Sequence, residues 1–367
     1  MIRFDLFASA RVRTPYRSDG LLSLRGIAAF LVVCHHFAVG AAAAAATGIA
    51  VFGAFSISGS YAVFIFFAIS GYLMAKILDR DYRREDIGKF YWNRALRIFP
   101  TYYLAVVFTL LFTFVVFHYP IAFNIWPVLL LVNNYILPSD FANPALWSLA
   151  TEVQFYILAP LVAWLVRYSK SYALYLLAAG IAIKFVWYGT FDLLPEKNAL
   201  NTVYMGLEAN WMYFMAGWCS YLYQDRIPKI GAGAALILIG GVLTAIWLFH
   251  FYFIGNEPMA LGHSIAWMIG FPAVISATLM FALPSLDDRG HLIAKLPRPA
   301  AGTLAFLGVT SYAAYVLHLP VYGWLNSYLP VYGWPNGPVW LKILAVYAVA
   351  LAVYVFVERR FFRLRRA

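Results

Sequence analysis

Ten stretches of this chain are each apolar over roughly the twenty residues that a helix needs to cross a lipid hydrocarbon core, and they leave little room for anything else. They run near 21–43, 60–78, 98–118, 146–166, 171–190, 208–223, 231–250, 261–283, 303–325 and 339–357. The expectation is an all-α, polytopic transmembrane bundle of about ten spans. With 63% hydrophobic and 12% charged residues, the chain is too apolar for a single water-soluble core. A further run, 125–138, leads into "NNYILPSD". It is too short to cross and suits an interfacial or re-entrant segment.

The formal charge of +11 raises the question of nucleic acid, but the basic residues sit in short clusters between apolar runs, where they orient spans. No nucleic-acid partner is expected. If ten spans alternate from a cytoplasmic N-terminus, all 27 basic residues but Lys184, Lys197 and Lys342 fall on the cytoplasmic side. Counting 125–138 as a crossing would move Arg167 and everything after it across the membrane. Both termini are therefore expected in the cytoplasm, with residues 1–20 a cytoplasmic segment, 21–358 the transmembrane domain and 359–367 a basic cytoplasmic tail. The tract "AAAAAATG" resembles a signal-peptidase site, but the run before it is longer than an h-region, so it reads as an uncleaved anchor. Cys34 and Cys219 each lie inside an apolar run and suggest no disulfide framework.

An ionisable side chain inside a span costs about 2.5–3.5 kcal/mol on insertion scales and needs a partner or a function. Here the set is Arg25, His35, His36, Glu152, Lys184, Glu208 and His318. Arg25 and His36 are eleven residues apart, which places the imidazole about 16 Å deeper than the guanidinium. His35 and His36 point about 100° apart, so one of them faces any given cavity. Arg94 and Arg97 share a helical face just before Pro100, a pair suited to bidentate phosphate binding or to lipid headgroups. In "NPALWSLATEVQFYILAPL", Glu152 lies about 8–10 Å inside its span. It is either functional or a partner for Lys184. Ser311, Tyr312, Tyr315 and His318 lie in "FLGVTSYAAYVLHLPVY". The histidines and carboxylates are scattered without ligand spacing, so no metal is expected.

Taken in order, these stretches resemble acyltransferase family 3, membrane enzymes that O-acylate carbohydrates and related acceptors. A basic residue, ten residues and then histidine is matched by Arg25 and His36. FFxxSG is matched by Phe66, Phe67, Ser70 and Gly71, and RxxR by Arg94 and Arg97. WSLxxExxFY is matched by Trp147, Ser148, Leu149, Glu152, Phe155 and Tyr156, and SYxxYxxH by Ser311, Tyr312, Tyr315 and His318. The resemblance covers about residues 20–358. Phe64 stands where the family often has an acid, and His35 where it commonly has an aromatic or apolar residue, so His36 is preferred over His35 by spacing.

The resemblance implies a multi-pass protein of the plasma (inner) membrane that takes an acyl group, acetyl foremost, from cytoplasmic acyl-CoA. The acceptor would be a hydroxyl of a saccharide or glycan, free or lipid-linked. No tightly bound cofactor is expected; acyl-CoA is a substrate, and membrane lipid is the surrounding partner. Arg25, Ser70, Gly71, Arg94 and Arg97 would bind the donor. His36 would be the general base or the acyl carrier, oriented by Glu152. His35, Trp147, Tyr315 and His318 would support them. The aromatic segments 190–211 and 322–340 read mainly as an interface belt. The rival from another class is a proton-coupled transporter of a small anion or sugar, with His36, Glu152 and His318 as relay, although no paired interrupted helices mark it. A purely structural membrane subunit would give the buried ionisable groups no purpose.

Overall fold

A computed structural model describes residues 19–49, 52, 59–80, 84–117, 125–136, 143–189, 204–254, 270–287, 295–332 and 337–365. Among these residues every regular element is helical. The main ones are α1 (Asp19–His36), α2 (Val39–Thr47), α3 (Ala62–Arg80), α4 (Ile87–Phe117), the single turn α5 (Trp126–Leu129), α6 (Trp147–Tyr168), α7 (Ser171–Gly189) and α8 (Leu207–Leu222). They are followed by α9 (Ala232–Ile254), α10 (Phe271–Leu286), α11 (Arg298–Tyr328) and α12 (Val339–Val353), which continues through the π turn Tyr354–Glu358 into Arg359–Phe362. The expected all-α class is what forms.

A helix stands at each of the ten expected runs, but within the described residues not every one is long and apolar enough for a full span. Six are long and apolar enough to cross a membrane, and the bent pair α1 and α2 makes a seventh if taken as one span. The described part of α7 and α10 is shorter. Residues 261–269, the start of one expected span, lie outside the described residues, as do 1–18 and 190–203. α8 has 16 residues, twelve of them buried, and carries Glu208 and Asn210 in its first turn. It is a core helix, enclosed by protein rather than lipid.

The outward faces of the helices are apolar as well as the core, unlike the surface of a water-soluble bundle. On α4, Val107, Leu111 and Phe114 are about half exposed, whereas Thr109 and Thr113 are buried and return their hydroxyl protons to carbonyls four residues back. Apolar groups outside and satisfied polar groups inside define a multi-pass membrane protein.

α3 lies at the centre. Its best span window is 83% buried, against 17% for the peripheral α9. It packs on α8 through two glycines: a Cβ at Gly71 would fall 1.9 Å from the Phe214 carbonyl oxygen, and one at Gly217 would fall 1.8 Å from that of Ala68. A second close contact, Gly26 against Gly308, joins α1 to α11. Small residues of this kind let backbones approach where lipid offers no hydrophobic drive. Gly71→Ala is therefore expected to destabilise the bundle by about 1–3 kcal/mol or more. A lower unfolding temperature in detergent is the check.

Of the run 125–138, the described residues 125–136 form no helix long enough to cross, and 137–138 lie outside the described residues. After α5 the chain turns at Leu131, φ 57, and packs between α4 and α6. Tyr102 donates to the Val128 carbonyl at 2.7 Å, Tyr103 to Leu129 at 3.1 Å and Gln154 to Leu131 at 2.9 Å. Irregular backbone survives at membrane depth only when protein groups satisfy it in this way.

Candidate active site

The first span breaks where its histidines lie. α1 ends at His36, Ala38 adopts a left-handed φ of 50, and α2 leaves at 64° to α1. A non-glycine residue at positive φ is uncommon and costs about 1–2 kcal/mol, so the break is held by its surroundings. Its effect is to leave His36 at a helix end in the interior rather than along a continuous rod.

There the imidazole meets a second one. His36 Nδ1 lies 3.1 Å from His318 Nε2 and 3.0 Å from the Val32 carbonyl, while His318 Nδ1 lies 2.6 Å from the Tyr315 carbonyl. A carbonyl only accepts, so with both rings neutral His318 carries its proton on Nδ1 and its bare Nε2 accepts from His36 Nδ1–H. His36 Nε2 is then left with a lone pair. His318 is fully buried, and His36 is half-buried. A Cβ on Gly59 would fall 2.6 Å from the His35 Cβ, and the His35 ring stands edge-on to that of His36 at 4.8 Å between centroids.

Below the imidazoles runs a polar stripe on one face of α6. Ser148, Glu152 and Tyr156 are spaced four apart, so they line about 12 Å of helix. Ser148 Oγ lies 2.6 Å from the Tyr315 hydroxyl, one turn before His318. Glu152 Oε1 accepts from both Ser70 and Tyr156, and the Tyr156 hydroxyl also reaches Ser70 Oγ at 3.1 Å. At the far end, the guanidiniums of Arg94 and Arg97 come within electrostatic reach of Tyr156.

These contacts join Ser70 to Glu152, and His36 to His318, in pairings other than those expected. The partner of the His36 imidazole is His318, and Glu152 is engaged by Ser70 and Tyr156. Nor does Glu152 serve Lys184, whose electrostatic neighbour is Glu208, itself bonded to Tyr135 at 2.5 Å. Gly71, expected at the donor, is filled by the α8 backbone and acts in packing. Arg25 stands over the Phe66 ring at 6.0 Å, and Phe66 meets Tyr315 edge to face. Trp147 packs on Phe67 and Tyr204. Phe64, in place of an acid, stacks on Tyr213 at 4.2 Å.

Sequence reasoning missed Glu358, buried at the end of the last helix and bonded to Thr101. An acid at the edge of a basic flank was its only signal. It also missed the buried Lys76–Asp287 pair, 2.6 Å apart, with Tyr72 donating to the same carboxylate. Among the described residues no group of three or more His, Cys, Asp or Glu side chains is arranged to hold a metal ion, and both cysteines are free and buried.

Fold and site together define a multi-pass helical membrane protein with an interior imidazole pair near one end of a polar stripe and an arginine pair within electrostatic reach of the other. The chain belongs to the family described as the acyltransferase domain, Acyl_transf_3, matched over residues 19–359. It is similar to "O-acetyltransferase OatA" of Staphylococcus aureus strain NCTC 8325 / PS 47 and to the protein of the same name in strain COL. Each is 27% identical over 381 residues, covering 95% of this chain and 58% of the relative. The chain spans little more than half the length of the curated relatives it matches. No solved structure matches it.

Proposed function

We propose that this protein is an integral-membrane O-acyltransferase that moves an acyl group, acetyl foremost, from cytoplasmic acyl-CoA to a hydroxyl of a saccharide or glycan. The observation that carries this reading is the stripe Ser148, Glu152 and Tyr156, which links the arginine pair to the His36–His318 pair. Coenzyme A is built the same way, with phosphates at one end and a thioester at the end of a thin arm. Arg94 and Arg97 hold the phosphates by charge-assisted hydrogen bonds, on the side that the basic clusters mark as cytoplasmic, with Arg25 as a further cation on that side. The arm lies along the stripe past Ser70. The thioester reaches the imidazoles.

At that point His36 Nε2 takes the proton of the acceptor hydroxyl as its oxygen attacks the thioester carbonyl carbon. The tetrahedral adduct collapses, the carbon–sulfur bond breaks, and the proton passes from His36 to the departing thiolate. His318 holds His36 in the required tautomer and shares its positive charge when it is protonated, the part expected of Glu152 from sequence. In the covalent variant, His36 Nε2 attacks the thioester carbon and the thiolate leaves; the acceptor oxygen then takes the acyl group, the carbon–nitrogen bond breaks, and the hydroxyl proton passes by way of the freed Nε2 to the thiolate. The acceptor approaches in the plasma membrane, free or lipid-linked.

The test is transfer itself. Membranes containing the protein, supplied with acetyl-CoA labelled in the acetyl group, are expected to place label in an alkali-labile ester on glycan. Solute uptake without any ester would instead identify a transporter.

A further inference from the structure

The last helix ends in an unusual way. α12 widens into the π turn Tyr354–Glu358 before resuming as Arg359–Phe362. Such a turn inserts a residue into the helical repeat, re-aims the side chains that follow, and recurs at functional sites. Here Phe356 is left 63% exposed while Glu358 is turned inward to 4%.

A buried carboxylate is strongly unfavourable without hydrogen bonds and a cation. Glu358 Oε1 lies 3.4 Å from Thr101 Oγ1 on α4. Thr101 is one turn beyond Arg97 on the same helical face, so the carboxylate faces the arginine's side of α4. Arg97 lies within electrostatic reach of Glu358, as does Arg365 from the chain's own end. Tyr312 closes the space, donating to the Ile98 carbonyl at 2.8 Å. Tyr156 of the stripe and Glu358 of the last helix thus both lie within electrostatic reach of Arg97.

We propose that Glu358 is a positioning residue for Arg97, attracting the guanidinium from one turn along α4 so that it meets the phosphate-bearing end of the donor partly ordered. This rests on the reading of Arg97 as a donor-binding residue. An arginine loses much rotamer freedom when it binds; a buried carboxylate that attracts the guanidinium narrows that freedom beforehand, which raises affinity through preorganisation.

A double-mutant cycle on the detergent-solubilised full chain tests this, with KM for acetyl-CoA, kcat and unfolding temperature measured for each protein. Glu358→Gln is expected to raise KM about tenfold while kcat changes little, and to add nothing to Arg97→Ala, because coupled residues are non-additive. Thr101→Val, which removes the hydrogen bond and leaves both charges, is expected to raise KM by a smaller factor, again only while Arg97 is present. Full additivity in the double variant, or a fall in unfolding temperature with KM unchanged, would overturn the proposal. If Arg97→Ala itself left KM unchanged, the donor reading would fail and this proposal with it. If Arg97→Ala raised KM and Glu358→Gln did not, the positioning role alone would fail.

Discussion

Replacing His36 with alanine should lower acyl transfer by about 10²–10⁴-fold, the usual contribution of a positioned general base, while the protein remains folded in the membrane. The geometry supports a functional loss more than a structural one. His36 is half-buried at the end of a broken helix, and its removal leaves His318 still bonded to the Tyr315 carbonyl at 2.6 Å. His318→Ala should cost less, because the base survives but loses its tautomer lock. Transfer rate per folded molecule is the measurement. Retained turnover in His36→Ala would shift the chemistry to another group, with His35, 4.8 Å away in ring centroid, the first to test.

The second large effect is expected at the donor's other end. A hydrogen bond to a charged group contributes about 1.5–3 kcal/mol, so Arg94→Ala and Arg97→Ala together should weaken acyl-CoA binding by at least about a hundredfold. Maximal rate at saturating donor should fall far less. Affinity and kcat measured separately distinguish this from a headgroup contact. If the pair changed only the amount of protein in the membrane, Arg94 and Arg97 would be positive-inside anchors and nothing more.

Much of the fold was legible because lipid imposes apolar runs, and the helices stand where those runs stand. The break at Ala38 was not. Alanine is both apolar and the best helix former, so "AVGAAAAAATG" reads as uninterrupted helix, and only packing by distant segments reveals the turn. Polar groups in apolar surroundings made His36, Glu152 and His318 visible, yet their pairing was hidden. His36 meets His318 across 282 residues, and Ser70 meets Glu152 across 82. Separations of that size are tertiary facts that no local spacing encodes. Gly71 illustrates the opposite error: a small residue beside a polar one reads as room for a ligand, whereas here it admits the backbone of α8. Glu358 escaped notice because an acid at the edge of a basic tail is ordinary; the π turn that buries it is invisible in composition.

An acyl-CoA donor held at Arg94 and Arg97 is expected to react at His36. Binding and slow hydrolysis of acetyl-CoA by the purified protein, compared with His36→Ala and with the Arg94→Ala, Arg97→Ala pair, tests it most directly. The expected result is binding and hydrolysis by the parent, binding without hydrolysis by His36→Ala, and loss of binding in the arginine pair. Hydrolysis that persists in His36→Ala, or binding that survives loss of both arginines, would contradict it.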